Sequence, residues 1–167
     1  SDGVITPVKQ KINIESTLTA NDKMGAYQGG LFHQLNNATV KNLSLSGTVT
    51  SLTDISGNSY LGGLSGYLAG SCVIDNIDST LTINSAQNYA TGGFFGSSGG
   101  GVHTVTNLVN NGSVTGVDHV GGIIGDKFRM AMSNCYNYGT IEGAKWVAGI
   151  AGEQKDNTND KIINCGN

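Results

Sequence analysis

Gly62-Gly63-Leu64-Ser65-Gly66 returns along the chain as Gly92-Gly93-Phe94-Phe95-Gly96, as Gly121-Gly122-Ile123-Ile124-Gly125 and, altered at its first residue, as Ala148-Gly149-Ile150-Ala151-Gly152. An earlier copy, Gly29-Gly30-Leu31-Phe32-His33, ends in histidine instead of glycine. The second glycines stand at 30, 63, 93, 122 and 149, so the steps between copies are 33, 30, 29 and 27 residues. A period of this length marks stacked structural repeats, each burying its apolar side against its neighbours.

Two further elements keep the same phase. An apolar residue, any residue and Asn follow each glycine cluster: Val40-Lys41-Asn42, Ile74-Asp75-Asn76, Val105-Thr106-Asn107, Met132-Ser133-Asn134 and Ile162-Ile163-Asn164. Then comes one apolar residue between small polar ones: Thr48-Val49-Thr50, Thr80-Leu81-Thr82, Ser113-Val114-Thr115 and, less strictly, Thr140-Ile141-Glu142, with Thr17-Leu18-Thr19 as an earlier copy. Each unit thus offers three short alternating strands separated by Gly or Asn corners. That pattern predicts an all-β, right-handed parallel β-helix (a β-solenoid) of three strands per coil and about five coils.

Alternation turns Val49, Leu81, Val114 and Ile141 inward and their polar neighbours outward. Asparagine tolerates left-handed backbone angles and can bond the backbone at a corner, so Asn42, Asn76, Asn107, Asn134 and Asn164 are expected to stack as a column. Gly63, Gly93, Gly122 and Gly149 are read as structural, at close backbone approaches. Residues 1–26 lack a glycine cluster and read as a leading coil or N-terminal cap around Ile12, Ile14 and Leu18. Residues 27–167 carry the repeats and stop partway through a unit, so flanking repeats or domains of a longer polypeptide are expected.

Composition narrows the function classes. Glycine occurs 26 times and proline once, at Pro7, which disfavours helix. Net charge is −3 and no Lys or Arg lies between Lys41 and Lys127. A phosphate backbone is held largely by Lys and Arg, so nucleic acid is not an expected partner, nor is an anionic polysaccharide along the middle of the array. No apolar run reaches the roughly 20 residues of a membrane-spanning helix, and no apolar leader precedes Ser1. Cys72, Cys135 and Cys165 are an odd number without CxxC spacing, which fits free thiols better than a zinc site or a disulfide framework. Cys135 and Cys165 each follow a column asparagine and should lie in neighbouring coils. The glycine clusters are not followed by the Lys-Ser or Lys-Thr of a phosphate-binding loop.

The core Gly63-Leu64-Ser65-Gly66, with the continuation Asn134-Cys135-Tyr136-Asn137-Tyr138-Gly139-Thr140-Ile141-Glu142-Gly143, resembles the GLUG repeat of bacterial secreted and surface proteins. The resemblance covers roughly residues 27–167 and departs at His33 and Ala148. Similar repeats occur in adhesin-like proteins and beside the catalytic part of immunoglobulin-A-cleaving metalloproteases. Those enzymes use a His-Glu-x-x-His helix, and no His-Glu pair occurs here, so no catalytic residue is carried over. The resemblance implies a non-catalytic, secreted or cell-surface module. Such a module would adhere to a host or bacterial surface protein or a neutral glycan, act as a rigid spacer, or accompany a secreted protease.

Three candidate surfaces stand out. Tyr27, Tyr60, His119 and Trp146 lie three residues before the marker glycine, with Tyr89 one residue out of phase. These rings either form a stripe that stacks on sugars or a partner, or seal a corner by stacking on one another. Thr17, Thr48, Thr80, Ser113 and Thr140 form one possible rank, and Thr19, Thr50, Thr82, Thr115 and Glu142 another. Flat Thr-x-Thr rows resemble the ice-facing surface of antifreeze solenoids, although threonine is also an ordinary outward strand residue. Asp156-Asn157-Thr158-Asn159-Asp160 offers Asp156 and Asp160 as oxygen donors for calcium, or is simply a solvated acidic loop. No other cofactor is expected. His33, His103 and His119 lack recurring nucleophile or carboxylate partners, so the chain is not expected to be an enzyme.

Overall fold

A computed structural model describes residues 8–18, 27–51, 59–86, 89–127, 129–155, 158 and 160–167. Among them there is no helix, and every strand pairing is parallel. Strand β1 (Gln10–Leu18) leads. The first full coil is β2 (Tyr27–Gly29), β3 (Phe32–Asn36) and β4 (Thr39–Ser51). The second is β5 (Tyr60–Gly62), β6 (Ser65–Ala69), β7 (Val73–Ser79) and β8 (Thr82–Ser85). The third is β9 (Ala90–Gly92), β10 (Phe95–Ser98), β11 (His103–Asn110) and β12 (Ser113–Thr115). In the fourth, β13 (Val120–Gly121) and β14 (Ile124–Lys127) precede β15 (Met130–Ser133), β16 (Tyr136–Asn137) and β17 (Ile141–Glu142). The last comprises β18 (Val147–Ala148), β19 (Ala151–Gln154) and β20 (Lys161–Ile163).

These strands form a β-solenoid of three sheets. A glycine sheet runs β18-β13-β9-β5-β2, a middle sheet β19-β14-β10-β6-β3, and a long sheet takes all the others, with β1 paired to β4. Five strands in each of the first two sheets correspond to about four turns from first to last. The leading residues contribute to the stack: β1 lies along Leu43–Ser51 with Ile14 buried. The second half of each unit differs from the three-strand expectation. Asn42, Asn76 and Asn107 do not separate strands but lie inside β4, β7 and β11, each with a positive φ of 56–59°. Asparagine therefore bends a continuing strand, and the segments on both sides of the bend join one sheet.

Register explains the period. In the glycine sheet Gly29, Gly62, Gly92, Gly121 and Ala148 pair in turn. A Cβ on the next glycine would strike the carbonyl of its counterpart one coil on: Gly63 at 2.4 Å from Gly30, Gly93 at 2.5 Å from Gly63, Gly122 at 2.2 Å from Gly93 and Gly149 at 2.1 Å from Gly122. Only hydrogen fits between coils there. The two departures fall at opposite ends of the array. A Cβ on Gly96 would lie 2.6 Å from Leu61 N, and one on Gly125 2.5 Å from Thr91 N, both in the preceding coil. His33 occupies this position in the first coil, and β2 ends its sheet, so no described strand lies behind it. A Cβ on Gly92 would lie 2.0 Å from Phe95 O of its own coil and 2.7 Å from Ile124 Cα of the following one; Ala148 takes this position in β18, where the second of these contacts is absent because the strand has no successor in its sheet.

The interior is a set of aliphatic columns: Leu64, Phe94 and Ile123 behind the glycines, and Ile74, Val105 and Met132 ahead of the asparagines, all buried. Val49, Ile83, Val114 and Ile141 pair in turn across the long sheet. The inward residue of the second coil's last strand is thus Ile83. Leu81, the residue predicted there, is also buried but sits one position before β8. Burying each such aliphatic side chain contributes about 1.5–3 kcal/mol, which in a solenoid accrues coil by coil.

Candidate functional site

At Gly96, Gly125 and Gly152 the middle sheet presses against the backbone of the glycine sheet so closely that a Cβ would lie 2.5–2.6 Å from it, and side chains of the two sheets meet in a cleft beside this seam. Tyr67, Ser97, Asp126 and Glu153 pair in turn along the middle sheet and line one wall. The aromatic residues line the other. Tyr60 lies 5.7 Å, centroid to centroid, from Tyr67 and 6.1 Å from Tyr89. Tyr89 lies 4.4 Å from the His119 ring, and Trp146 stacks on His119 at 5.7 Å with 9° between the planes. Tyr60, Tyr89, His119 and Trp146 thus form one ladder. The backbone of Tyr27 pairs with Tyr60, and its side chain lies outside what the structure describes.

The ladder is buried in its middle and open at one end. His119 is buried, whereas Trp146 is 61% exposed. Both have positive φ, 44° and 51°, a backbone state that turns the chain sharply just before the glycine strand. Polar contacts fix the His119 ring: Nδ1 lies 3.2 Å from Tyr89 O and 3.0 Å from Asp118 Oδ1, and Nε2 is 2.9 Å from Glu153 Oε2, out of line for a hydrogen bond. Lys155 crosses the mouth of the cleft. Its Nζ donates to Asp126 Oδ2 at 2.7 Å, lies 3.8 Å from Glu153 Oε2 and sits 6.0 Å above the Tyr89 ring. Burial works against the charged ammonium, but Asp126 and Glu153 hold its pKa above the ordinary lysine value.

Beside Lys155 the cleft widens into a groove of about 250 Å³ lined by Tyr60, Tyr67, Ser97, Ser98, Asp126 and Lys155. Asp126 is buried, and its Oδ1 has no hydrogen-bond partner among the described residues. That oxygen is closed off from solvent, and an unsatisfied buried acceptor costs about 1–3 kcal/mol; what the groove offers a ligand is the Tyr60 and Tyr67 rings with the polar side chains of Ser97, Ser98 and Lys155. Sequence spacing picked out the aromatic wall, but not Tyr67, Ser97, Asp126 and Lys155. Their only signal is a place just beyond the glycine cluster, one residue on for Tyr67, Ser97 and Asp126 and three for Lys155.

The asparagine column lies on the outside of the bend. Asn76 Nδ2 donates to Asn42 Oδ1 at 2.7 Å, Asn134 to Asn107 at 3.2 Å and Asn164 to Asn134 at 2.7 Å, each residue with positive φ. Between Asn76 and Asn107 the line is interrupted, because Asn107 Nδ2 donates instead to Asp75 Oδ1 at 2.8 Å. The Thr106 hydroxyl and the Asn107 amide together hold the Asp75 carboxyl below its usual range. A second, inner ladder was not foreseen. Asn110 and Asn137, both buried, link through Nδ2 to Oδ1 at 2.8 Å, and Asn137 continues to Asn167 at 2.5 Å. Each precedes a glycine by two residues, and that Asn-x-Gly triplet was its available signal.

Other candidates fall differently. Thr48 pairs with Thr82 and Thr82 with Ser113, while Thr50, Asn84, Thr115 and Glu142 form the neighbouring rank. The expected places of Thr80 and Thr82 are therefore corrected by one register step of two residues. Thr17 pairs with Thr50 and not Thr48, and Thr19 lies outside the described residues. Asp156 also lies outside them. Asp160 is not a solvated donor: its side chain is 1% exposed and its Oδ1 accepts from Lys127 Nζ at 3.0 Å and Met130 N at 2.6 Å. No group of three or more His, Cys, Asp or Glu side chains suited to a metal occurs among the described residues. All three cysteines are free, and burial pushes the Cys135 thiol up to about 12. His103 is buried with Nδ1 accepting from Cys72 N at 3.3 Å and Nε2 3.1 Å from Gly99 O, and burial lowers its pKa.

The fold and the cleft define a β-solenoid module with an aromatic-lined groove. Comparison with protein-family models, with curated proteins and with solved structures finds no match for this chain. The resemblance to GLUG repeats therefore rests on the motif residues themselves.

Proposed function

We propose that this chain is a non-catalytic binding module of a secreted or surface protein, and that it holds a neutral glycan along the ladder from Trp146 to the Tyr60 groove. The observation that carries this reading is the pairing of an exposed indole, already stacked on His119, with a groove lined by two tyrosine rings and the polar side chains of Ser97, Ser98, Asp126 and Lys155. Sugar rings stack their C–H faces on aromatic rings and exchange hydrogen bonds with polar side chains through their hydroxyls, so one ligand class suits both features. Lys155 already occupies the position that a cationic ligand would seek between Asp126 and Glu153, which favours a neutral ligand over a cationic one.

Trp146 is the sole tryptophan, so its fluorescence reports on the site directly. A glycan array should identify neutral oligosaccharides that then shift Trp146 emission in titration. Trp146→Ala should abolish array binding, and Asp126→Asn or Tyr60→Ala should weaken it about tenfold, the equivalent of roughly 1.4 kcal/mol. An array without signal for the folded parent, or binding unchanged by all three substitutions, overturns the glycan reading.

A further inference from the structure

We propose that Lys127 and Asp160 join in an intramolecular amide, an isopeptide cross-link that fastens the last coil to the one before it. Lys127 lies on the inner face of β14, in a row that runs Leu35, Leu68, Ser98, Lys127 and Gln154. Where the early coils bury leucine, the fourth buries a lysine side chain that is 0% exposed. Its Nζ reaches across one coil to Asp160 Oδ1 at 3.0 Å, a partner 33 residues away and itself 1% exposed. Oδ1 also accepts the Met130 N–H at 2.6 Å, while Oδ2 has no partner among the described residues.

This geometry places a nucleophile, an acyl carbon and an oxyanion donor together in a dry site. For the amine to attack, the ammonium proton must pass to the carboxylate, and a site that excludes water lowers the cost of that neutralising transfer within the pair. Burial lowers the Lys127 pKa, although the Asp160 carboxylate opposes the shift. The Nζ lone pair then attacks Asp160 Cγ, and the Met130 N–H steadies the negative charge that develops on Oδ1. Oδ2 carries the acid proton, takes a second from Nζ and leaves as water. The C–N bond forms, the C–Oδ2 bond breaks, nothing is oxidised or reduced, and no co-reactant is needed. Fixed proximity substitutes for activation of the acid.

The link has a mechanical purpose in this fold. The last coil is the least protected: Ile162 and Ile163 are 42% and 57% exposed, whereas their counterparts two coils earlier, Val105 and Thr106, are more buried. A covalent tie closes the chain from 127 to 160 around that coil and limits its unfolding.

Intact-mass measurement of the folded full chain is expected to fall short of the sequence mass by one water. Tandem mass spectrometry of a tryptic digest should show a branched peptide joining the Lys127 and Asp160 segments, with no cleavage after Lys127. Lys127→Met and Asp160→Ala should each restore the full sequence mass, even if they fold poorly. A folded parent at full mass, linear peptides cut after Lys127, or a water loss that maps to a succinimide such as Asp2-Gly3 would each overturn the proposal.

Discussion

At the residue scale the fold rests on atoms that are missing. Gly122 has room for neither the carbonyl of Gly149 nor the Asn137 side chain if it gains a Cβ, which would lie 2.1 and 2.5 Å from them. Gly166 meets only the Tyr136 ring, at 3.6 Å. Gly122→Ala should therefore lower Tm by roughly 6–12 °C, from an overpacking cost of about 3 kcal/mol, while Gly166→Ala leaves it nearly unchanged. Calorimetry on the two variants checks the contrast. His103 makes a second residue-scale prediction. Its folded pKa lies below the unfolded value of 6.5, so below about pH 6.5 the unfolded chain binds the proton first. Stability from this group is full above that pH, is lost as pH falls toward the folded value, and does not decline further below it. Asp75 acts in a separate window, its contribution lost only as pH falls below about 3.8, the unfolded value. Urea midpoints at pH 7.5 and pH 5 should differ more for the parent than for His103→Gln.

At the element scale two asparagine ladders do different work. Asn137→Ala removes two inner links, leaving Asn110 Nδ2 only its 3.4 Å bond to Gly112 O and stranding the Oδ1 of Asn167, at a cost of about 2–3 kcal/mol. Asn134→Ala removes two exposed links, to Asn107 and from Asn164, and leaves alanine with positive φ, at about 1–2 kcal/mol. Equilibrium urea unfolding should rank them in that order. The ladders also show what was legible in the sequence. Glycine period and outer asparagines were readable because each answers a backbone demand repeated in every coil. The inner ladder was less so, because the same inward column holds Leu45 and Ser79 in the earlier coils and becomes asparagine only from Asn110 onward. The threonine register was misread in the second coil because Thr80-Leu81-Thr82 and Thr82-Ile83-Asn84 both alternate, and only pairing chooses between them. The Lys127–Asp160 pair and the acidic wall of the cleft join residues from different coils, and one-dimensional spacing carries no sign of which sheet faces meet.

At the scale of the whole molecule, stability should be graded along the axis. Strands β6, β10 and β14 have neighbours on both sides and bury nearly all their residues, whereas β18 and β20 end their sheets and are largely exposed. Amide exchange should be slowest in the former and fastest in the latter, within a single array. The central claim is that successive coils lie in parallel register, with Thr104 flanked by Val73 on one side and Ala131 on the other. Nuclear Overhauser spectroscopy of the labelled chain tests it most directly. The account predicts cross-strand amide and α-proton contacts linking Thr104 to both of those residues and Val114 to both Ile83 and Ile141. Strong α-proton to α-proton contacts of antiparallel pairs, or the absence of any contact joining Thr104 to Val73 and Ala131, would contradict it.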